Sequence, residues 1–379
     1  MYDAAVVSCP GYEEEKVCAA LGEALEKIDG LSFVKKGMRI VIKPNLVSFR
    51  PPEEAVTTHP ALLKALVRML IEKGAEVVIG DSPGGPNNLT FMNKVYSATG
   101  MQEAEALGAV LNCDLEEKTE DFPEGKALKS ITYTAYLKKA DAIIDFCKLK
   151  SHGLMGMSAA VKNMYGAVPG LLKPQMHYRF PNEKEFSEML IDLNEFLKPR
   201  LAICDAVVGM EGNGPLNGKP RSVGAIIAAK TTYACDLVAA ELIGRKYEDI
   251  PTLAAAFERG LAPKTAAELS VYGNIDDFRV ENFEAPPVRG LRFMRKGTML
   301  HFVSRICLQQ KPALKKKLCV GCGHCANICP AHAITMVDKK PVIDRKKCIR
   351  CFCCQEFCPK AAMVVHRPVV ARVLNKMQL

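Results

Sequence analysis

Apolar residues along the first 280 positions follow two periods. Short runs suited to a buried strand occur at 4–8, 39–43, 76–79, 142–147, 201–208 and 223–229, with a further partly apolar segment at 131–137. Between them, apolar residues recur every three or four positions. Val17, Leu21, Leu25 and Ile28 form one stripe of a helix over 13–28, and Phe186, Met189, Leu190, Leu193 and Leu197 form another over 183–197. Pro60 suits the first turn of a helix that Gly74 terminates, and Thr232 suits the cap of one over 233–243. Further helical stretches are expected near 91–98 and 101–107 and over 249–268, broken near Pro263. Apolar strands alternating with helices predict an α/β fold: a mostly parallel sheet with flanking helices. Pro286, Pro287 and Gly290 mark a boundary zone, in which 288–293 would return a strand to the sheet.

Beyond residue 310 the signal changes from periodicity to spacing. Cys319, Cys322, Cys325 and Cys329-Pro330 are separated by two, two and three residues, and Cys348, Cys351, Cys354 and Cys358-Pro359 repeat that spacing. Soft thiolates at these intervals suit two [4Fe-4S] clusters, three close cysteines holding three corners and a remote one the fourth. In such pairs the fourth cysteine ligates the other cluster. One set is therefore Cys319, Cys322, Cys325 and Cys358, and the other is Cys348, Cys351, Cys354 and Cys329. Cys353 would break the spacing. Two four-cysteine zinc sites are the alternative, against which the doubled run and both prolines speak. The segment resembles a bacterial-type two-cluster ferredoxin, which implies a hairpin at 334–337 and 341–343; a last strand is expected at 362–365. The expected organisation is an α/β domain over 1–300, a connector over 301–317, and a small C-terminal two-cluster ferredoxin-like domain over 318–379.

Charge sharpens this division. Residues 311–379 contain 14 Lys/Arg and three Asp/Glu, giving +11, whereas residues 1–310 contain 37 and 39, giving −2. The excess could attract an acidic electron donor or acceptor protein, offset anionic cluster charge, or bind nucleic acid. Nucleic acid is the least favoured, because no aromatic platform accompanies the basic groups and the chain has no tryptophan. The eight cysteines outside the two sets show no disulfide-like framework. With no leader-like N-terminus and no uninterrupted apolar run long enough to span a bilayer, no transmembrane segment is expected, and the expected location is cytoplasmic.

Candidate chemistry in the larger part lies at the carboxyl ends of the strands, where open α/β sheets bind ligands. Asp81, Ser82 and Gly84 follow one strand; Lys148, Lys150, His152, Lys162 and Asn163 follow another; Glu211 and Asn213 follow a third. Lys173, His177, Tyr178 and Arg179 form a second polar patch, and Asp236 sits among apolar residues as a candidate for a buried network. Each of these loops also has a purely structural reading as turn, salt bridge or satisfied histidine. The stretches Lys43-Pro44-Asn45, Gly80-Asp81-Ser82-Pro83-Gly84, Lys150-Ser151-His152, Lys162-Asn163-Met164-Tyr165-Gly166 and Gly212-Asn213-Gly214-Pro215 resemble the DUF362 family of iron–sulfur proteins. The resemblance covers about residues 4–300 and implies that these loops form one site.

The leading expectation is an oxidoreductase that passes electrons through two [4Fe-4S] clusters to a small anionic substrate. His152 would be its proton donor and Lys150 and Lys162 its electrostatic clamps, with Asp81, Ser82, Gly84, Asn163, Glu211 and Asn213 as substrate contacts. A non-enzymatic electron-transfer or assembly protein that docks a redox enzyme is the alternative. A redox-sensing transferase is the third. A nicotinamide site is not expected, since the glycine-rich fingerprint is missing.

Overall fold

The computed structural model describes residues 2–285 and 310–366. The strand proposed at 288–293 and Cys307 lie outside the described residues. In chain order the larger part contains β1 (Ala4–Ser8), α1 (Glu14–Ile28), β2 (Arg39–Pro44), α2 (Pro60–Glu72), β3 (Glu76–Ile79), α3 (Leu89–Ala98), β4 (Val110–Leu111), β5 (Glu117–Asp121) and β6 (Ser130–Thr134). It continues with β7 (Ala142–His152), β8 (Gly156–Ser158), α4 (Ala160–Asn163), α5 (Leu172–Arg179), α6 (Glu183–Leu197), β9 (Leu201–Glu211), β10 (Lys219–Ala229), α7 (Thr232–Leu242), α8 (Pro251–Glu258) and β11 (Val271–Tyr272).

The main sheet runs β11-β1-β10-β9-β7-β2-β3-β4, with β8 paired to β7. Five neighbouring pairs along this path are parallel, while β10 is antiparallel to both β1 and β9, so the sheet is mostly parallel as the periodicity implies. The β5–β6 hairpin forms a separate two-stranded sheet, so the apolar segment at 131–137 pairs outside the main sheet. Of the helical region expected at 249–268, only α8 is an α-helix. The two faces of the sheet bury different cores. Ile42, Ile144, Phe146 and Ile203 pack towards α1 and α2, and on the other face Cys147, Leu149, Cys204 and Ile227 pack towards α7.

One strand departs from its apolar pattern. That pattern ends at Cys147, yet β7 continues to His152, and every one of its residues is buried. Polar side chains survive there because each finds a partner. Lys148 Nζ lies 2.8 Å from Asp205 Oδ2 and donates to Tyr12 Oη at 2.9 Å, and Lys150 Nζ donates to Asn45 Oδ1 at 2.7 Å and to the Val56 carbonyl at 2.9 Å. Buried ions are tolerated only when paired and hydrogen-bonded in this way.

The C-terminal part comprises β12 (Lys311–Leu314), α9 (His324–Asn327), β13 (Ile334–Val337), β14 (Lys340–Ile343), α10 (Cys353–Glu356) and β15 (Met363–His366). β13 and β14 form the expected hairpin, and β12 pairs with β15, so part of the proposed connector belongs to the small domain. Its two halves repeat each other in backbone as well as in cysteine positions. Gly321 and Arg350, Gly323 and Phe352, and His332 and Ala361 all take positive φ at equivalent places. Just after the fourth cysteine of each run, a backbone N–H donates back to its sulfur: Ala333 to Cys329 Sγ at 3.3 Å and Ala362 to Cys358 Sγ at 3.2 Å.

Candidate functional site

The polar centre is built where β2, β3 and β7 end. Proline at 44 closes β2, and the chain turns so that Lys43 Nζ lies 2.8 Å from Asp81 Oδ1 at the end of β3. Asp81 also accepts from Leu46 N at 2.7 Å and Ser82 N at 2.9 Å, which fixes both loops to one carboxylate. A side chain on Gly166 would overlap Asp81 and Lys43, so only glycine lets the 162–166 segment lie against this pair. Asn163 Nδ2 donates to Asp145 Oδ1 and, at 3.2 Å, to the Lys43 carbonyl, while its Oδ1 accepts from Asn45 Nδ2 at 2.9 Å. Asn45 in turn receives Lys150. Burial lifts the Asp145 carboxyl to about 8, against the opposing pull of Lys43 and Asn163.

The second polar patch folds into the same region in part. Lys173 Nζ donates to the Ser82 carbonyl at 2.7 Å and to the Val168 carbonyl, and Ser82 Oγ accepts from Gly170 N at 2.9 Å. His177 stacks on Phe186 with ring centres 4.3 Å apart and is held to about 3 by burial, so it is neutral; its Nδ1 has no hydrogen-bond partner among the described residues. Tyr178, by contrast, is exposed. Burial depresses both Lys150 and Lys173 to about 7, with neighbouring lysines adding to the effect and Asp81 opposing it.

A folded-state value depressed below the ordinary lysine value means that the unfolded chain binds more protons between about pH 7 and pH 10. Stability contributed by Lys150 therefore rises with pH across that window. Thermal melts of wild type and Lys150→Met from pH 7 to 10 should show the difference between them moving in favour of wild type as pH rises. A pH-independent difference would contradict the burial assigned to this ammonium.

The cluster domain closes over this centre. His152, the last residue of β7, has Nε2 3.2 Å from Glu356 Oε1 at the end of α10, although the contact is not aligned as a hydrogen bond. His152 Nδ1 accepts from Leu154 N at 3.1 Å and Met155 N at 3.2 Å, which leaves the imidazole proton on Nε2, facing the carboxylate. Burial holds this imidazole below its ordinary value. The Lys162 ammonium lies over the Tyr165 ring at 4.4 Å and the Phe186 ring at 5.7 Å, and it makes no ion pair or hydrogen bond among the described residues. Glu356 and Cys353 are its nearest electrostatic counterweights.

Docking uses the loop after β9. Gln355, fully buried, donates to the Asn213 carbonyl at 3.1 Å, and Asn217 Nδ2 donates to the Gln355 carbonyl at 3.2 Å. A side chain on Gly84 would overlap the Phe357 ring. Gly84→Val should therefore displace α10 while leaving the iron content unchanged. Hydrogen exchange over 150–156 and 353–357 would quicken at least tenfold, and unchanged protection there would show that the ring does not need this gap.

Of the residues singled out by sequence, Lys150, His152, Lys162, Asp81, Ser82 and Asn163 converge on one region. Gly84 and Asn213 serve the contact with the cluster domain. Glu211 stands apart: its Oε2 accepts from Glu284 N at 3.1 Å and its Oε1 is 3.9 Å from Arg221. Glu356, Gln355 and Phe357 complete the site from the other domain, and spacing within the cysteine run gives no sign of them.

In the cluster domain, Cys319, Cys322, Cys325 and Cys358 line one pocket with Leu314 and Met363. The Cys325 thiol is raised by burial and then by Cys358 and Cys322 beside it; the Cys354 thiol is raised by burial and then by Cys351, Cys348 and Cys329. These neighbourhoods fit the crossed sets, and the two N–H···S contacts are of the kind that stabilise thiolate ligands. Cys353 is buried beside Cys351 and also acts on Lys162 and Tyr165 of the α/β domain, but it stands outside the repeated spacing.

Residues 40–241 match the family model described as a domain of unknown function, DUF362, and residues 311–359 match a 4Fe-4S dicluster domain. A curated relative, the thylakoid-associated protein sll1697 of Synechocystis, is 32% identical over 308 residues, covering 78% of this chain and 92% of its own. Its name overturns the expectation of a cytoplasmic protein. The described residues contain no helix long and apolar enough to cross a membrane. Two solved structures share 14% and 15% identity: a Thermotoga maritima protein at TM-score 0.39 and the lactate racemase apoprotein of Thermoanaerobacterium thermosaccharolyticum at 0.40. Each match covers 62% of this chain and, respectively, 60% and 56% of the other.

Proposed function

The chain belongs to the DUF362 family and carries a 4Fe-4S dicluster domain, and from this premise we propose an iron–sulfur oxidoreductase acting on a small anionic substrate. Two [4Fe-4S] clusters, held by Cys319, Cys322, Cys325 and Cys358 and by Cys348, Cys351, Cys354 and Cys329, would supply the one-electron chemistry. The observation that carries the reading is the meeting of His152 and Lys162 with Glu356 at the domain contact. An ammonium with no anionic partner in hydrogen-bond reach among the described residues is suited to a carboxylate or phosphate, and the His152 Nε2 proton lies on the same side. Lys43, Lys150 and Lys173 add positive potential behind it. Asp81 holds Lys43, Asn45 holds Lys150 and the Ser82 carbonyl holds Lys173, and the docked helix limits the access of water.

Anaerobic reduction of the cluster-loaded protein, followed by a panel of small carboxylates and phosphates, tests this reading by EPR. Reoxidation by a particular anion should occur in wild type and fall at least ~100-fold in Lys162→Ala or His152→Asn, the scale of losing a positioned proton donor or clamp. Clusters that ignore every anion but are reoxidised by a redox protein would favour the second reading, a non-enzymatic electron-transfer protein. That reading draws on the mutual satisfaction of Lys150, Asn45, Asn163 and Asp81 within the site. Under either reading we place the protein at a membrane surface, following the relative's name, with the basic cluster domain as the docking side.

A further inference from the structure

A separate group of sulfurs lies beneath the site, on the opposite face of β7 from Lys148 and Lys150. Cys147 and Cys204 are aligned partners on the parallel strands β7 and β9, and Cys235 enters from the first turn of α7. All three Sγ atoms lie within 4.8 Å of one another, and the residues are at most 1% exposed. No sulfur of the iron–sulfur sets is involved. A cubane spreads its ligands more widely than one ion does. A single ion with metal–sulfur bonds near 2.3 Å requires sulfurs only about 3.8–4.0 Å apart. Three thiols brought together from two strands and a helix, well separated in sequence, are close to that arrangement without rearranging the strands.

Asp236, next to Cys235 and 1% exposed, uses one carboxylate oxygen to accept from Ala160 N at 2.6 Å and Val161 N at 3.3 Å. Its other oxygen, Oδ2, is buried and has no hydrogen-bond partner among the described residues. An orphaned carboxylate oxygen in a core is costly unless something cationic or a donor satisfies it.

We propose that Cys147, Cys204 and Cys235 hold a single thiophilic d10 metal ion of the Zn2+ class. Binding forms three metal–thiolate bonds and releases three protons to solvent, with no change of oxidation state. The charge left on a Zn2+ ion with three thiolates is −1. The ion's role is structural and positional. It would tie β7, β9 and α7 together directly below α4, the short helix that carries Lys162 and Asn163 and whose N–H groups Asp236 caps. Because the ligands are buried, loading accompanies folding.

The test uses the full chain, produced with zinc in the medium, reconstituted with its clusters anaerobically, and passed through chelator before elemental analysis. About one zinc per chain should remain in wild type and be lost from Cys204→Ala and Cys235→Ala, with iron unchanged. Cys325→Ala is the complementary control, losing iron and keeping zinc. Cobalt supplied in place of zinc should give wild type the intense near-ultraviolet absorption of thiolate-bound cobalt. This arm decides the matter even if the alanine variants do not fold. Wild type without chelator-resistant zinc and without that absorption, zinc retained in both variants, or a Cys147–Cys204 disulfide found by mass would each overturn the proposal.

Discussion

Cys325→Ala will remove about half of the protein's iron and one of two cluster signals in the EPR spectrum of the reduced protein, whereas Cys353→Ala will keep both. The expectation follows from position. Cys325 lines a pocket with Cys319, Cys322 and Cys358, while Cys353, beside Cys351 and towards Lys162, falls outside the repeated spacing. With the proposed pair of cubanes, each of four irons, the wild-type count is expected at about eight and the Cys325 variant's at about four. Cys354→Ala should match Cys325→Ala in iron lost, from the other set. Iron loss in the Cys353 variant equal to that in the Cys354 variant would reassign the ligands. Loss of all iron in either ligand variant would mean that the two halves cannot load independently.

Asp81→Asn is expected to be the most destabilising conservative change in the larger domain. It leaves the buried Lys43 ammonium without a counterion, with only neutral acceptors, the asparagine carbonyl oxygen and the Pro44 carbonyl 3.2 Å away, beside it. Removing one partner of a buried pair costs about 3–5 kcal/mol, because the remaining charge has lost its counterion away from water. For a domain of this size the melting temperature should fall by on the order of 10 °C. Adding Lys43→Met should recover much of the loss, since the stranded charge is then gone. A double variant no more stable than Asp81→Asn would show that the loss comes from the hydrogen bonds to Leu46 N and Ser82 N instead.

The strands and helices were legible because burial on one or both faces leaves a period in the sequence, and the two cysteine runs because a cubane dictates the spacing of its ligands. The length of β7 was less so. Lys148, Lys150 and His152 look like an exit loop until Asp205, Asn45 and Val56 are seen to satisfy them, and those partners come from elsewhere in the chain. Glu211 follows a strand end as Asp81 does, but it is drawn to Glu284 N and stays out of the centre. Glu356 could not be assigned from its surroundings. Within Cys354-Gln-Glu-Phe-Cys358 it reads as a filler between ligands, and only the docking of two segments distant in sequence gives it His152 as a neighbour.

The internal repeat of the cluster domain has diverged into an outward copy and an inward copy. Gly323 meets nothing within 4 Å of where a side chain would begin, and Cys322 and Val320 near it are exposed. At the equivalent position Phe352 accepts a left-handed backbone and places its buried ring beside Gly153. Asn327 and Ile328 of the first half correspond to Glu356 and Phe357 of the second, the residues that reach into the α/β domain. The two halves of the repeat thereby have different surroundings: one turns outward, and the other is taken up by the contact with the α/β domain.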